Sequence, residues 1–173
     1  MIRYILAFLL MATPAVAQQQ QGLVAWAKVH EVFSHPRCAN CHVGADGIPI
    51  WAEPHGADPR SHGMNINAGI SRIGAETILC GTCHATRNAE LPHGPPGAPN
   101  WHLPPVTMQW YGKSSREICQ QIKDRARNGD RDIEAIAHHV ESDRLVAWSW
   151  APGLQRAPAP YSAAEVAGYL REW

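Results

Sequence analysis

The chain reads Cys38-Ala39-Asn40-Cys41-His42 at one place and Cys80-Gly81-Thr82-Cys83-His84 at another. Both stretches have the form C-x-x-C-H, which is the attachment signature of a c-type haem. Two thiols three positions apart on a short turn can add to the two vinyl groups of one porphyrin. The histidine that follows at once places an imidazole nitrogen under the iron as its proximal ligand. The sequence therefore predicts two covalently bound haem c groups, each with its iron.

Other cysteine chemistries fit this spacing less well. The two C-x-x-C pairs of a zinc ribbon are usually about 15–20 residues apart, whereas 38 residues separate Cys41 from Cys80. A thioredoxin-like motif would need a βαβ pattern that the flanking sequence lacks, and a disulfide across a two-residue loop would stabilise little. We expect the fifth cysteine, Cys119, to be a small apolar residue packed on a helix.

The first 17 residues are predicted to be a secretory signal peptide. Arg3 gives a positive start, a short apolar run follows over 5–11, and Ala15-Val16-Ala17 has the form of a cleavage site. The run is too short to span a membrane. We therefore expect one mature domain over 18–173 in the periplasm, with no membrane span after cleavage. Export is in keeping with haem attachment, which bacteria carry out on the periplasmic side.

Composition and charge indicate the fold class and exclude some partners. The chain has 15 basic and 15 acidic residues, so neither nucleic acid nor a polybasic membrane contact is expected. It also has 14 Gly and 14 Pro, with few alternating β-branched runs. These features predict a mostly α, cytochrome c-like fold in which short helices and long Gly/Pro-rich loops wrap around two covalent haems.

Hydrophobic periodicity and capping signals predict where the helices lie. They favour helices over 23–33, 114–127, 131–141 and from Ser162 to the C-terminus, with weaker helical character over 70–78. Residues 18–21 are predicted to be a disordered spacer. The first and last of these helices resemble the N- and C-terminal helices of cytochrome c, which cross each other beside the haem.

The group opposite each proximal histidine sets the chemistry of its iron. Met64 lies 22 residues after His42, and Met108 lies 24 residues after His84, each beyond a loop long enough to reach over a porphyrin. We predict Met64 and Met108 as the distal ligands of the first and second haem. The histidines that compete for these places are His62 at the first iron and His102 and His139 at the second. Methionine raises the potential, a second histidine lowers it, and an open position allows a small molecule to bind.

Several segments together look familiar: 35–42 around the first motif, His62-Gly63-Met64-Asn65, Gly97 to Leu103, Cys119 to Gly129, and Leu145 to Trp150. They resemble small exported cytochrome-like proteins labelled as subunits of isoquinoline 1-oxidoreductase, over about residues 30–160. The resemblance implies a redox partner protein, in this case a molybdenum hydroxylase from which the chain accepts electrons. The chain lacks the residues that a molybdopterin or an iron–sulfur cluster would need, so it is not expected to be the catalytic subunit.

Electron transfer is the function that these patterns favour. Two haems on so short a chain must lie close together and can exchange electrons without any bond-making by the protein. We therefore expect an electron carrier rather than an enzyme. The alternative is a small haem enzyme or sensor with one open iron site, similar to a peroxidase, which would need an acid–base group beside that iron.

Overall fold

The computed structural model describes residues 14–54, 58–76, 78–91, 94–153 and 156–173. Within these ranges the helices are α1 (Pro14–Phe33), α2 (Pro36–Ala39), α3 (Ser115–Lys123), α4 (Ile133–Ser142) and α5 (Ala163–Glu172). The strands are β1 (Ile50–Trp51), β2 (Arg60–Ser61), β3 (Gly74–Ala75) and β4 (Ile78–Leu79), paired as two antiparallel hairpins. Short 3₁₀ turns cover Gly63–Asn65, Cys80–Thr82 and Val146–Trp150. The prediction of a mostly α fold is confirmed.

The main core lies between the two terminal helices and the helices near the C-terminus. Val29, Val32 and Phe33 of α1 are buried with Val166 and Leu170 of α5, and α5 also packs on α4. The ring of Trp26, within α1, lies 4.3 Å from the ring of Trp173, directly after α5. The terminal helices therefore contact each other, as their resemblance to the helices of cytochrome c implies. Cys119 is partly buried against this core, as expected.

Local capping chemistry fixes where the later helices begin. The Ser114 hydroxyl accepts from the Glu117 N–H, and the Glu117 carboxylate accepts from the Ser114 N–H at 2.9 Å. Ser162 and Glu165 form the same reciprocal pair at the start of α5. Both predicted capping boxes are confirmed. Helix α3 ends earlier than predicted, because Asp124 adopts an extended backbone and the chain turns there.

The prediction of a disordered spacer over 18–21 is wrong. Residues 18–21 are helical rather than disordered, because α1 continues without interruption from Pro14, and glutamine is a fair helix former. Helix α1 also includes the predicted cleavage site at Ala15-Val16-Ala17, while residues 1–13 lie outside the described ranges.

The segment 70–78 forms a β-hairpin rather than a helix. Gly74 has φ 152°, and a Cβ at this position would lie 2.5 Å from the carbonyl oxygen of Ile78. The close approach of two backbones therefore requires glycine here, and the same approach pairs β3 with β4. No helix in the described ranges is long and apolar enough to cross a bilayer.

Candidate haem sites

The first C-x-x-C-H motif lies at the end of α2, directly after α1. The N–H of Cys41 donates to the Cys38 carbonyl at 3.2 Å, and the N–H of His42 donates to the same carbonyl at 3.1 Å. This tight turn places both thiols and the imidazole on one cleft of the molecule. The His35 side chain accepts from the Arg37 N–H at 3.2 Å and caps the short helix that carries the first thiol.

The cleft encloses about 1100 Å³ of space, part of it open to solvent. Its walls are mainly apolar and come from α1, α3, α4 and the loop before α3: Phe33, Ile122, Ile136, Val140, Met108 and Trp110. Two thiols and an imidazole that open onto an apolar cleft are the donor set that haem c requires.

The surroundings of His42 determine which of its nitrogens is available. Its Nδ1 lies 2.7 Å from the carbonyl oxygen of Met108. Because a carbonyl can only accept, Nδ1 carries the hydrogen and Nε2 keeps a free lone pair. The indole of Trp110 stacks on the imidazole at 3.4 Å with nearly parallel planes. The N–H groups of Trp110 and Tyr111 both donate to the His42 carbonyl. Residues 108–111 therefore contact both the backbone and the side chain of this histidine.

Burial in the cleft controls the protonation of the first motif. It raises the pKa of the Cys38 thiol to about 12 and that of Cys41 to about 11. It also lowers the pKa of His42 to about 3, although the hydrogen bond to Met108 acts in the opposite direction. The imidazole is therefore neutral near pH 7, which is the form that binds a metal.

The second motif repeats this local structure in a different setting. It follows the β3–β4 hairpin, and the N–H groups of Cys83 and His84 both donate to the Cys80 carbonyl, at 3.2 and 2.9 Å. Cys83 is exposed and Cys80 only half-buried. His84 Nδ1 lies 2.8 Å from the Pro96 carbonyl oxygen, so its Nε2 is also free. Burial and the proximity of His62 lower the pKa of His84, while the bond to Pro96 acts in the opposite direction.

Trp101 connects the two motifs. It lines the cleft of the first motif and stacks on the His84 imidazole at 4.6 Å with planes 4° apart. The thiol of Cys80 is close enough to Cys41 to contribute to the raised pKa of Cys41. The two motifs are therefore neighbours in space, although 38 residues of chain separate them.

Arg72 joins the loops around both motifs. Its guanidinium donates to the carbonyl oxygens of Pro104 at 2.9 Å, Gly44 at 3.1 Å and Val43 at 3.3 Å. One side chain thus ties the β3–β4 hairpin to the segments after His42 and before α3.

The predicted distal ligands do not lie near the motifs to which their order in the chain assigned them. Met108 is buried in the first cleft, and His102 and His139 line the same cleft. His62 is half-buried beside His84, with ring centres 5.9 Å apart. Met64 follows His62 on an exposed turn, with 79% of its surface accessible. The structure thus brings three of the five candidates to the first motif and His62 to the second.

Sequence reasoning missed the two tryptophans that stack on the proximal histidines. Trp110 lies two residues after the carbonyl that binds His42, and Trp101 lies five residues after the one that binds His84. Both occur in segments rich in aromatic and proline residues, and that composition was the available signal. Nothing in the spacing indicates which histidine each indole contacts.

Among the described residues, no three side chains of His, Cys, Asp or Glu come together to hold a bare metal ion. A haem iron needs fewer protein ligands than a bare metal ion, because the porphyrin supplies four nitrogens and the protein adds only axial ligands. Comparison with protein-family models, with curated proteins and with solved structures found no match for this chain.

Proposed function

We propose that this protein is a periplasmic dihaem c-type cytochrome that carries electrons, with a cytochrome c-like arrangement around its first haem. One observation carries the proposal. Both C-x-x-C-H motifs form the same tight turn, and each turns its histidine Nδ1 onto a backbone carbonyl and stacks the ring on a tryptophan. Such outer contacts fix the orientation of a ligating imidazole and leave Nε2 for the iron.

Each motif would bind one haem through its two cysteines and its histidine. Cys38 and Cys41 would hold one haem and Cys80 and Cys83 the other, with His42 and His84 as proximal ligands. A bound haem supplies a one-electron iron couple. The chain itself has to position the groups, exclude water from the first site and keep both imidazoles neutral.

His139 is the best supported second ligand at the first motif. It lines the cleft from α4, and its Nδ1 faces Asp143 Oδ2 at 3.5 Å. The Met108 side chain lines the same cleft, while its backbone carbonyl accepts from Nδ1 of His42. Met108 is therefore the alternative to His139 at this motif.

The second motif is the proposed docking side. Cys80 is half-buried and Cys83 is exposed. One haem edge would therefore lie at the surface, where a redox partner can bind through a small contact area. We propose a redox protein as that partner, with a molybdenum hydroxylase as the first candidate because of the sequence resemblance. Electrons would pass between the docking side and the buried site through the region around Trp101.

The test is to export the full chain with a cytochrome c maturation system and to count haem by the alkaline pyridine spectrum. We expect two haems per chain that withstand denaturing extraction. The paired substitutions Cys38→Ser/Cys41→Ser and Cys80→Ser/Cys83→Ser should each remove one haem, while Cys119→Ser should remove none. Absence of covalent haem in the unsubstituted chain would overturn the proposal.

Carbon monoxide separates the carrier from the alternative of a small haem enzyme or sensor. If both irons have two axial side chains, the reduced Soret band stays unchanged under carbon monoxide. A shift of about half the haem absorbance would reveal one open iron and favour the peroxidase-like or sensing function.

A further inference from the structure

The ring centres of His62 and His84 have the separation that two ligands of one metal ion have. Their centres lie 5.9 Å apart, and their planes are inclined by 57°. Two metal–nitrogen bonds of about 2.0–2.1 Å, plus about 1.1 Å from each nitrogen to its ring centre, place two ligating imidazoles about 6 Å apart. No hydrogen bond joins the two rings in the described part of the chain, so their spacing is not that of a directly bonded pair.

Both imidazoles have the correct nitrogen available. His62 Nδ1 lies 2.8 Å from the Gly63 carbonyl oxygen, and His84 Nδ1 lies 2.8 Å from that of Pro96. Each Nδ1 must therefore be the donor, and each Nε2 keeps its lone pair. This state is the one that outer contacts impose on histidines that bind metals.

The backbone around His62 is fixed in an unusual conformation. The His62 N–H donates to the Pro49 carbonyl at 2.8 Å, directly after the β1–β2 hairpin. Met64 and Asn65 then follow with φ of 59° and 54°. Two successive non-glycine residues in the left-handed region are strained, and strain of this kind concentrates where a structure must hold a functional side chain.

The first motif helps to place this hairpin. The Asn40 carbonyl accepts from the Ile50 N–H at 3.0 Å, and the Asn40 side-chain amide donates to the Ala52 carbonyl at 3.0 Å. Asn40, one of the two residues between the first two cysteines, therefore anchors the strand pair that carries His62 towards the second motif. A ligand of one iron would thus depend on the turn that binds the other.

We propose that His62 is, with His84, the second protein ligand of the iron in the haem attached at Cys80 and Cys83. The inference rests on the proposed dihaem function and assigns its second site a bis-histidine, low-potential character. It also assigns the exposed Met64, two residues further on, no role in ligation.

The test compares His62→Ala with Met64→Leu in the full matured chain. We expect the His62→Ala variant to gain about one carbon-monoxide-reactive haem per chain over the unsubstituted protein. The Met64→Leu variant should keep the carbon monoxide response and the potentials unchanged. A gain in Met64→Leu with none in His62→Ala would make Met64 the ligand, and no gain in either variant would also overturn the inference.

A second variant covers the case in which His62→Ala fails to mature. His62→Met should retain six-coordinate iron, acquire a far-red thioether charge-transfer band in the oxidised state and raise the potential of one haem. An unchanged spectrum and unchanged potentials would contradict the inference. The haem count separates the two levels: fewer than two haems in the unsubstituted chain refutes the dihaem function, whereas two haems with silent His62 variants refutes only the ligand assignment.

Discussion

The two C-x-x-C-H motifs share a local structure but lie in opposite surroundings. The first opens onto an apolar cleft whose walls are helices of the main core. The second lies among loops and two-residue strands, with an exposed cysteine. The neighbours of each five-residue turn would therefore decide how much of a bound haem is covered. On the proposed function, the first site would support the fold and the second would meet a partner.

The largest expected difference between the sites is in stability. Cys38→Ser/Cys41→Ser would prevent attachment of the proposed first haem and leave the apolar cleft walls uncovered. Exposed apolar surface costs about 25 cal/mol per Å², and total stability is only about 5–15 kcal/mol. We expect this variant to lose its cooperative thermal transition by circular dichroism, and Cys80→Ser/Cys83→Ser to keep it. Equal losses in both variants would remove the distinction between a supporting and a docking site.

The next prediction concerns access to the first iron. His139 is half-buried on the cleft side of α4, whereas His138 is exposed and bonds to Ser142. We expect His139→Ala to open the first site and add about one carbon-monoxide-reactive haem per chain. His138→Ala, on the same helix, provides the matched control and should leave the reduced spectrum under carbon monoxide unchanged.

The Met108→Leu variant tests whether Met108, rather than His139, binds the first iron. Leucine preserves the apolar volume and cannot ligate, while the backbone carbonyl that binds His42 remains. An open iron in this variant together with a silent His139→Ala would assign Met108, rather than His139, to the iron.

A smaller effect on stability is expected at Arg72, which links the loops around the two motifs. Arg72→Lys keeps the charge, but an ammonium group cannot replace the planar guanidinium that donates to three carbonyl oxygens. With acceptors left unpaired, we expect a loss of about 1–3 kcal/mol in the free energy of unfolding, measured by denaturant titration. Arg116→Lys on the exposed face of α3 is the control and should change stability little.

The smallest predicted effect lies within the helical region. Ser114→Ala removes one half of the capping box of α3 and should cost about 1 kcal/mol of stability. The spectrum of the second haem should not respond, since Ile122 of α3 lines the first cleft. A change at the second site would show that the two surroundings are coupled more tightly than their contacts indicate.

Local chemistry made some features predictable from sequence, and long-range packing made others unpredictable. The capping boxes at Ser114 and Ser162 and the turns at both motifs depend on residues within a few positions, so their patterns are sufficient. The 70–78 hairpin depends on the approach of β4 to Gly74, which helical periodicity does not register. The mostly α class followed from composition, but the length of α1 did not.

The pairing of candidate ligands with motifs shows the same limit. Distance along the chain favoured Met64 and His62 for the first iron and Met108, His102 and His139 for the second. In space, the 108–111 segment lies against His42 and α4 brings His139 to the same cleft, while the β1–β2 hairpin brings His62 to His84. These placements depend on how loops return to the core, and no spacing rule in the sequence contains that information.

The most direct test of the dihaem assignment is the intact mass of the exported, matured chain under denaturing conditions. We expect a single species heavier than the polypeptide by the mass of two haems, since thioether bonds survive unfolding. The paired cysteine variants should each be lighter by one haem. A mass equal to that of the polypeptide alone, after maturation that loads a known c-type cytochrome in parallel, would contradict the account.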